Sequence, residues 1–417
     1  MSATTPAGVE APSDPAAPPF RLVPYFVGTF IDTVGGGLWM PIALIFFVRA
    51  QGLPLGQVGA ALTLGGIVAL AVGPLAGTVS DRIGPVPVVF ASNAVRVLVF
   101  CCYPLVGSVW QLLVLATLGS AGDRLFWTAN TPLMSRLAEG RALDRMLATQ
   151  SVVRIVGLGV GAGAAGLLAD RPGGLELLAY ANAASFALAA VLVLVAAGGF
   201  AVERAGRGGH GSGAAVPGWR SVARDRPFLL LCGIHTVLAL GGASLVLILP
   251  LVAVDTLRGP VWLAGAAIVL GNAVLAVAQR PVVAWTGPRP RRRGLVAGAL
   301  VLATAFLLLA PAGHASPEAV VGLVLAAAAV GALGQCAAFP LMVAAANHAA
   351  PVAARGRYSA VFQTSWGAAN AVAPALLTGL LAVGHPVLWL TLAAATLATV
   401  PALRAVSTRL PAACLRE

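Results

Sequence analysis

Apolar runs about 20 residues long recur twelve times along this chain of 417 residues, separated by short polar segments. Twenty residues of helix rise about 30 Å, the thickness of the hydrocarbon layer of a bilayer. The runs fall at 22–48, 56–79, 86–106, 110–134, 148–169, 175–198, 227–251, 261–284, 294–311, 318–345, 358–382 and 386–405. With 59% hydrophobic and 10% charged residues, no water-soluble domain of this size could hide its apolar surface. The reading is therefore an all-α integral membrane protein of twelve transmembrane helices in contact with membrane lipid. The first and tenth runs are long enough to tilt or kink, at Pro41 and Pro340.

The net charge is +12, and all 26 basic residues are arginine. They are scattered between apolar runs rather than gathered on one face, which argues for a topological role and against nucleic-acid binding. With the N-terminus inside, nineteen arginines fall in cytoplasmic segments, against Arg49, Arg171 and Arg258 outside. That bias sets orientation in membrane proteins. The expected location is the cell membrane, multi-pass, with both termini cytoplasmic.

Residues 1–19 are Pro/Ala-rich without a basic start, a tail rather than a cleaved signal. A Gly/Arg-rich segment at 200–226 ends in Trp219–Arg224, which reads as a short helix on the membrane surface. It divides the chain into six spans at 20–199 and six at 227–405, followed by a cytoplasmic tail at 406–417. Pro41 and Pro250, Gly84 and Gly287, and Arg145 and Arg357 occupy matching places in the two halves, as a parallel duplication would leave them. A monomer is expected. The five cysteines lack metal-ligand spacing, and no Gly-x-x-x-x-Gly-Lys or nucleophile elbow occurs. No metal, cofactor, ATP use or enzymatic activity is expected.

Spans 2 and 3 are joined by Gly73-Pro74-Leu75-Ala76-Gly77-Thr78-Val79-Ser80-Asp81-Arg82-Ile83-Gly84. So short a turn makes its two spans antiparallel neighbours, and the charges must lie at the water boundary. The pattern Gly-x-x-x-Asp-Arg-x-Gly resembles the signature loop of the major facilitator superfamily, with Pro85-Val86-Pro87 in place of its following basic residues. Arg355-Gly356-Arg357-Tyr358 and the Gly-rich opening of span 5 are also similar to that family, and the resemblance covers residues 20 to 405. It implies two six-helix bundles with a substrate site between them. It also makes Gly73, Gly77, Asp81, Arg82 and Gly84 a gating loop, in which Asp81 would cap the N-terminus of span 11 as a latch.

Ionisable groups inside spans carry the most functional weight, since each costs roughly 2.5–3.5 kcal/mol to insert. In the first half they are Asp32, Arg96, Asp123, Arg124 and Arg154; in the second, His235 and Arg280. Asp32 shares a helical face with Gly35, Gly36 and Trp39, and is either a proton-exchanging acid or a structural partner of Arg96 or Arg154. Span 4 carries Arg124, Trp127, Thr128 and Thr131 on one stripe, with Asp123 and Asn130 alongside. Asp32 and Asp123 are the candidate proton-coupling residues. The candidate cavity residues are Trp39, Arg96, Arg124, Trp127, Thr128, Arg154, His235, Gln335, Gln363, Trp366 and Asn370.

The resemblance extends to twelve-span drug:proton antiporters, several of which carry a functional acid in span 1. It implies proton-coupled efflux of an amphipathic drug or secondary metabolite. One proton moving through about 100 mV yields roughly 2.3 kcal/mol, and one pH unit adds about 1.4 kcal/mol. The three intramembrane arginines set against two aspartates leave a slightly positive interior, which keeps uptake or exchange of an anionic metabolite open. A non-transporting receptor or assembly factor on the same fold is the reading of another class.

Overall fold

A computed structural model describes residues 22–72, 79–80, 82–137, 140–198, 219–286, 289–351 and 355–409, all helical or in short connections. Its longer helices are α1 (Leu22–Trp39), α2 (Leu55–Leu70), α3 (Pro85–Cys102), α4 (Val109–Leu137), α5 (Gly140–Leu168) and α6 (Gly174–Ala197). They continue as α7 (Arg226–Leu247), α8 (Trp262–Thr286), α9 (Arg291–Leu309), α10 (Pro317–Ala349), α11 (Arg355–Val383) and α12 (His385–Ser407). A six-residue helix, Trp219–Arg224, precedes α7.

Among the described residues, nine helical segments are long and apolar enough to cross a membrane, or ten if α1 and Ala43–Ala50 form one bent span. The chain is thus a multi-pass membrane protein. Two helices fall short of that measure. The described part of α2 has only 16 residues, and α4 carries Asp123, Arg124 and Asn130 along its middle. Large apolar side chains stand exposed on the outside of the assembly, Leu98 and Val277 among them, where lipid would cover them.

Local chemistry explains the helix ends. Pro41 cannot donate to the helical ladder, and the chain breaks there, bending by 52° before a π-helical turn at Phe46–Ala50. Pro250 sits at the matching place ahead of a second π-helical turn, Val252–Thr256. Pro340, by contrast, lies within the uninterrupted α10. Gly84 takes φ +87° just before Pro85 opens α3, a conformation that a side chain would strain. At α7, the Asp225 side chain accepts a hydrogen bond from the Phe228 amide and caps the first turn.

The packing scheme repeats with a shift of six helices. In the first set, α1 packs on α5 and α6, α2 on α4, and α3 on α4 and α6. In the second, α7 packs on α11 and α12, α8 on α10, and α9 on α10 and α12. The sets meet along α2–α11 and α5–α8, two pairings that the same shift exchanges.

Glycines make these approaches possible. On α5, Gly161 faces α1, where an added Cβ would collide with the Val34 carbonyl, while Ala162 and Gly166 face Gly265 of α8. The Gly-rich run of α5 is therefore a two-sided packing surface. Along the other seam, the Ala375 amide donates 2.8 Å to the Thr63 hydroxyl. Pro374 disturbs the helical ladder at that point, and α2 supplies the acceptor.

Candidate functional site

Three charged side chains from different helices converge on one point. Arg96 of α3 is buried, and its Nη1 lies 3.4 Å from Asp32 of α1 and 3.5 Å from Asp123 of α4. Its Nη2 donates to Asn93 Oδ1 one turn earlier. The guanidinium is held between Phe126, 4.8 Å away, and Phe186, 4.3 Å away. Ring faces on both sides and a desolvated setting fix the cation firmly.

The two carboxylates differ in access. The Asp32 side chain is 11% exposed and that of Asp123 is 61% exposed, so Asp123 is the more open of the two. Asp32 Oδ1 stands within ion-pair distance of Arg96 yet accepts no hydrogen bond. One guanidinium thus serves two carboxylates, and its charge balances one of them.

Two more arginines border the site. Arg154 of α5 lies over the Trp127 ring, 4.4 Å from its centroid. Arg124 of α4 reaches the opposite set of helices, where its guanidinium packs against Gly367 of α11. A Cβ at Gly367 would come within 2.9 Å of Arg124 Nη2. Among the described residues, neither Arg124 nor Arg154 has a carboxylate within 4 Å.

The second set of helices contributes an aromatic wall. His235 of α7 bonds Ser365 through Nδ1 at 2.6 Å and stacks on Phe362, with centroids 4.2 Å apart. Trp366 stands 5.5 Å from Phe339 at nearly a right angle. These rings, with Gln363, Asn347 and Ser359, line a cavity of about 230 Å³.

The structure brings Asp32, Arg96 and Asp123 together, sets Arg154 on Trp127, and places His235, Gln363 and Trp366 on one cavity. Thr128 is half-buried one turn beyond Arg124. Gln335 packs toward Gly242 of α7, and the Asn370 amide donates to the Trp366 carbonyl of its own helix. Trp39 stacks on Tyr103 at 5.3 Å in a cluster with Phe46, Phe47 and Phe100, and Phe100 in turn packs on the Phe186 ring that faces Arg96. Of the expected gating loop, Arg82 is exposed and Gly84 turns the chain, while Gly73, Gly77 and Asp81 lie outside the described residues.

Several partners of these groups went unnoticed in the sequence. Tyr25 donates to Asn130 and accepts from Gln150 at 2.9 Å, tying α1, α4 and α5 together. Asn93 was recoverable from its place three residues before Arg96, which puts both on one helical face. Phe126, Phe186 and Phe362 carried no such signal, because a phenylalanine facing a cation and one facing lipid look alike in an apolar run. Among the described residues, no group of three or more His, Cys, Asp or Glu side chains could hold a metal ion.

The sequence model of the Major Facilitator Superfamily matches residues 25–374. The chain belongs to the Major Facilitator Superfamily, a family of secondary transporters of small molecules, and is a transporter rather than an enzyme. Among solved structures, a variant of the nucleoside transporter NupG aligns with a TM-score of 0.75 at 13% identity, over 92% of this chain and 99% of that one. The peptide transporter POT in complex with sulfate aligns with a TM-score of 0.73 at 16% identity, over 94% and 97%. At such identities the likeness concerns the fold. No curated protein sequence matches the chain.

Proposed function

We propose that the protein is a proton-coupled secondary transporter that takes up or exchanges an anionic small metabolite by alternating access. The observation that carries this is the charge balance of the site. Arg96 balances one of its two carboxylates, while Arg124 and Arg154 stand without a carboxylate within 4 Å among the described residues. The carboxylate that Arg96 does not balance is where a proton is exchanged, and three guanidiniums against two carboxylates leave one positive charge for an anion. Asp32 and Asp123 together hold the exchangeable proton, and Asp123, the more exposed, is its way in from the cavity. That fold relatives include transporters of nucleosides and of peptides supports a metabolite as cargo.

In this reading residues 20–199 and 227–405 form two six-helix halves that rock about the α2–α11 and α5–α8 seams. The segment between them, at 200–226, is a cytoplasmic linker, and both termini are cytoplasmic. Asp81 acts as the inner latch on α11, and the transporter works as a monomer. A second reading is proton-coupled export of an amphipathic drug or secondary metabolite, which the aromatic wall around His235 favours.

Purified protein in liposomes with an imposed pH gradient separates these readings. Uptake of an anion with a proton makes the interior acidic as substrate enters. Exchange of proton for drug gives the opposite sign. Absence of any coupled flux across a panel of both kinds would remove transport by this site and favour a receptor role.

A further inference from the structure

The geometry points to a narrower cargo: a planar aromatic or heteroaromatic molecule carrying one anionic group, held with its ring among His235, Phe339, Phe362 and Trp366 and its anion on Arg124. This rests on the anion-carrier reading above and specifies the substrate class of the same site. Three observations support it.

Arg124 adjoins the helix that carries much of the aromatic cavity. The Arg124 guanidinium packs on Gly367, the next residue after Trp366 and one helical turn from Gln363, and Trp366 and Gln363 both line the cavity. One small molecule can therefore touch the cation and the rings at once.

Size limits what enters. At about 230 Å³ the cavity falls below the roughly 300–1,000 Å³ of sites that enclose drug-sized ligands. It suits a one- or two-ring group and not a folded peptide or a polycyclic drug. His235 and Phe362 already stack on each other, 4.2 Å apart, and form a closed wall, while Trp366 and Phe339 meet at 88° and offer a flat guest an edge and a face. Trp366 keeps 41% of its surface exposed, so its ring is not consumed by packing. Gln363 and Asn347 at the wall provide amide donors and acceptors for ring heteroatoms.

Arg124 of α4 reaches across to α11 at Gly367. An anion bound there neutralises a cation lodged between the sets, as a carrier needs its cargo to do before the seam can change. Aromatic contacts on the second set and charge contacts on the first mean that neither half holds the cargo alone.

The test is saturable binding to the purified full-length protein, by equilibrium dialysis, of 2-naphthalenesulfonate and its fully saturated ring analogue. Both probes are permanently anionic and similar in size, and they differ in planarity and aromaticity. The expected result is at least about tenfold tighter binding of the aromatic probe, with that preference lost in Trp366→Leu and both probes weakened in Arg124→Gln. Arg124→Lys should keep part of the affinity, which separates lost charge from misfolding. Equal binding of the two probes, both weakened by Arg124→Gln, overturns the aromatic class and leaves the anion reading standing. Absence of saturable binding by either probe, or binding indifferent to Arg124→Gln, overturns both.

Discussion

Arg49 and Asp255 form an ion pair that joins the two π-helical turns, Phe46–Ala50 and Val252–Thr256, at corresponding places in the two sets of helices. The same end of the molecule holds the close contacts of Gly161, Gly166 and Gly265, and the hydrogen bond from Ala375 to Thr63. In the orientation proposed above this is the external end, and the gate these contacts close is the outer one. The Arg49 side chain is 45% exposed and that of Asp255 24%, so solvent screens the pair and it is worth at most about 1 kcal/mol. It biases the gate and does not lock it. Arg49→Asp should shift the gate equilibrium about threefold to fivefold toward the open outer state, and the double variant Arg49→Asp with Asp255→Arg should restore it. Labelling of an engineered outer-cavity cysteine reads the shift; a double variant no better than the single would refute the pairing.

The glycine seam is expected to matter more. Gly265→Val would drive a branched side chain into the Ala162 carbonyl of α5, where no flexible group can yield. The expected loss is at least about 2 kcal/mol, read as a fall in unfolding temperature in detergent. Gly322→Ala, at a position with nothing within 4 Å, is the matched control and should be nearly neutral.

Thr63 offers a finer probe of the α2–α11 seam. Thr63→Val keeps the shape and removes the acceptor of the Ala375 amide, at an expected cost of about 1 kcal/mol. Thr63→Ser should recover most of it. Since a carrier must separate this seam once per cycle, Thr63→Val should also speed outer opening measured by cysteine labelling.

At the start of α11, the Tyr358 hydroxyl donates 2.8 Å to Asp225, the cap of α7, and its ring packs 4.5 Å from Phe228. Burial, with the Asp225 carboxylate beside it, pushes the Tyr358 phenol up to about 12. It therefore stays a neutral donor throughout the physiological range, and its stabilisation fades only above the ordinary tyrosine value, as pH approaches that figure. Tyr358→Phe should lower stability by about 1 kcal/mol, with no change in that deficit between pH 6 and pH 8 in thermal unfolding.

Much of this architecture was legible from the chain alone, for reasons that particular residues make plain. An apolar run of span length has few other uses, and Pro41 breaks its helix because proline cannot donate to the ladder. Gly157 to Gly166 announced a packing surface because glycines four apart leave a groove. Arg96 stood out as a partner for Asp32, since a buried cation demands a carboxylate.

What stayed hidden depends on distance along a helix and contacts across helices. Trp39 shares the face of Asp32, yet seven residues of helix separate them by about 10 Å, and the ring cluster in which Trp39 stacks on Tyr103 is built from other helices that its own stretch does not name. Asp255 lies past the end of its apolar run, where a lone carboxylate reads as a loop charge until Arg49 is seen beside it. The sharing of Arg96 between Asp32 and Asp123 depends on how three helices turn toward one another, which no single stretch encodes.

The measurement that bears most directly on the coupling is uphill transport of a cargo anion into proteoliposomes on a pH difference alone, comparing wild type with Asp32→Asn. The account predicts that the variant, though folded and still able to exchange cargo between equal concentrations, no longer accumulates it against a gradient. Accumulation at the wild-type level in Asp32→Asn would contradict the account.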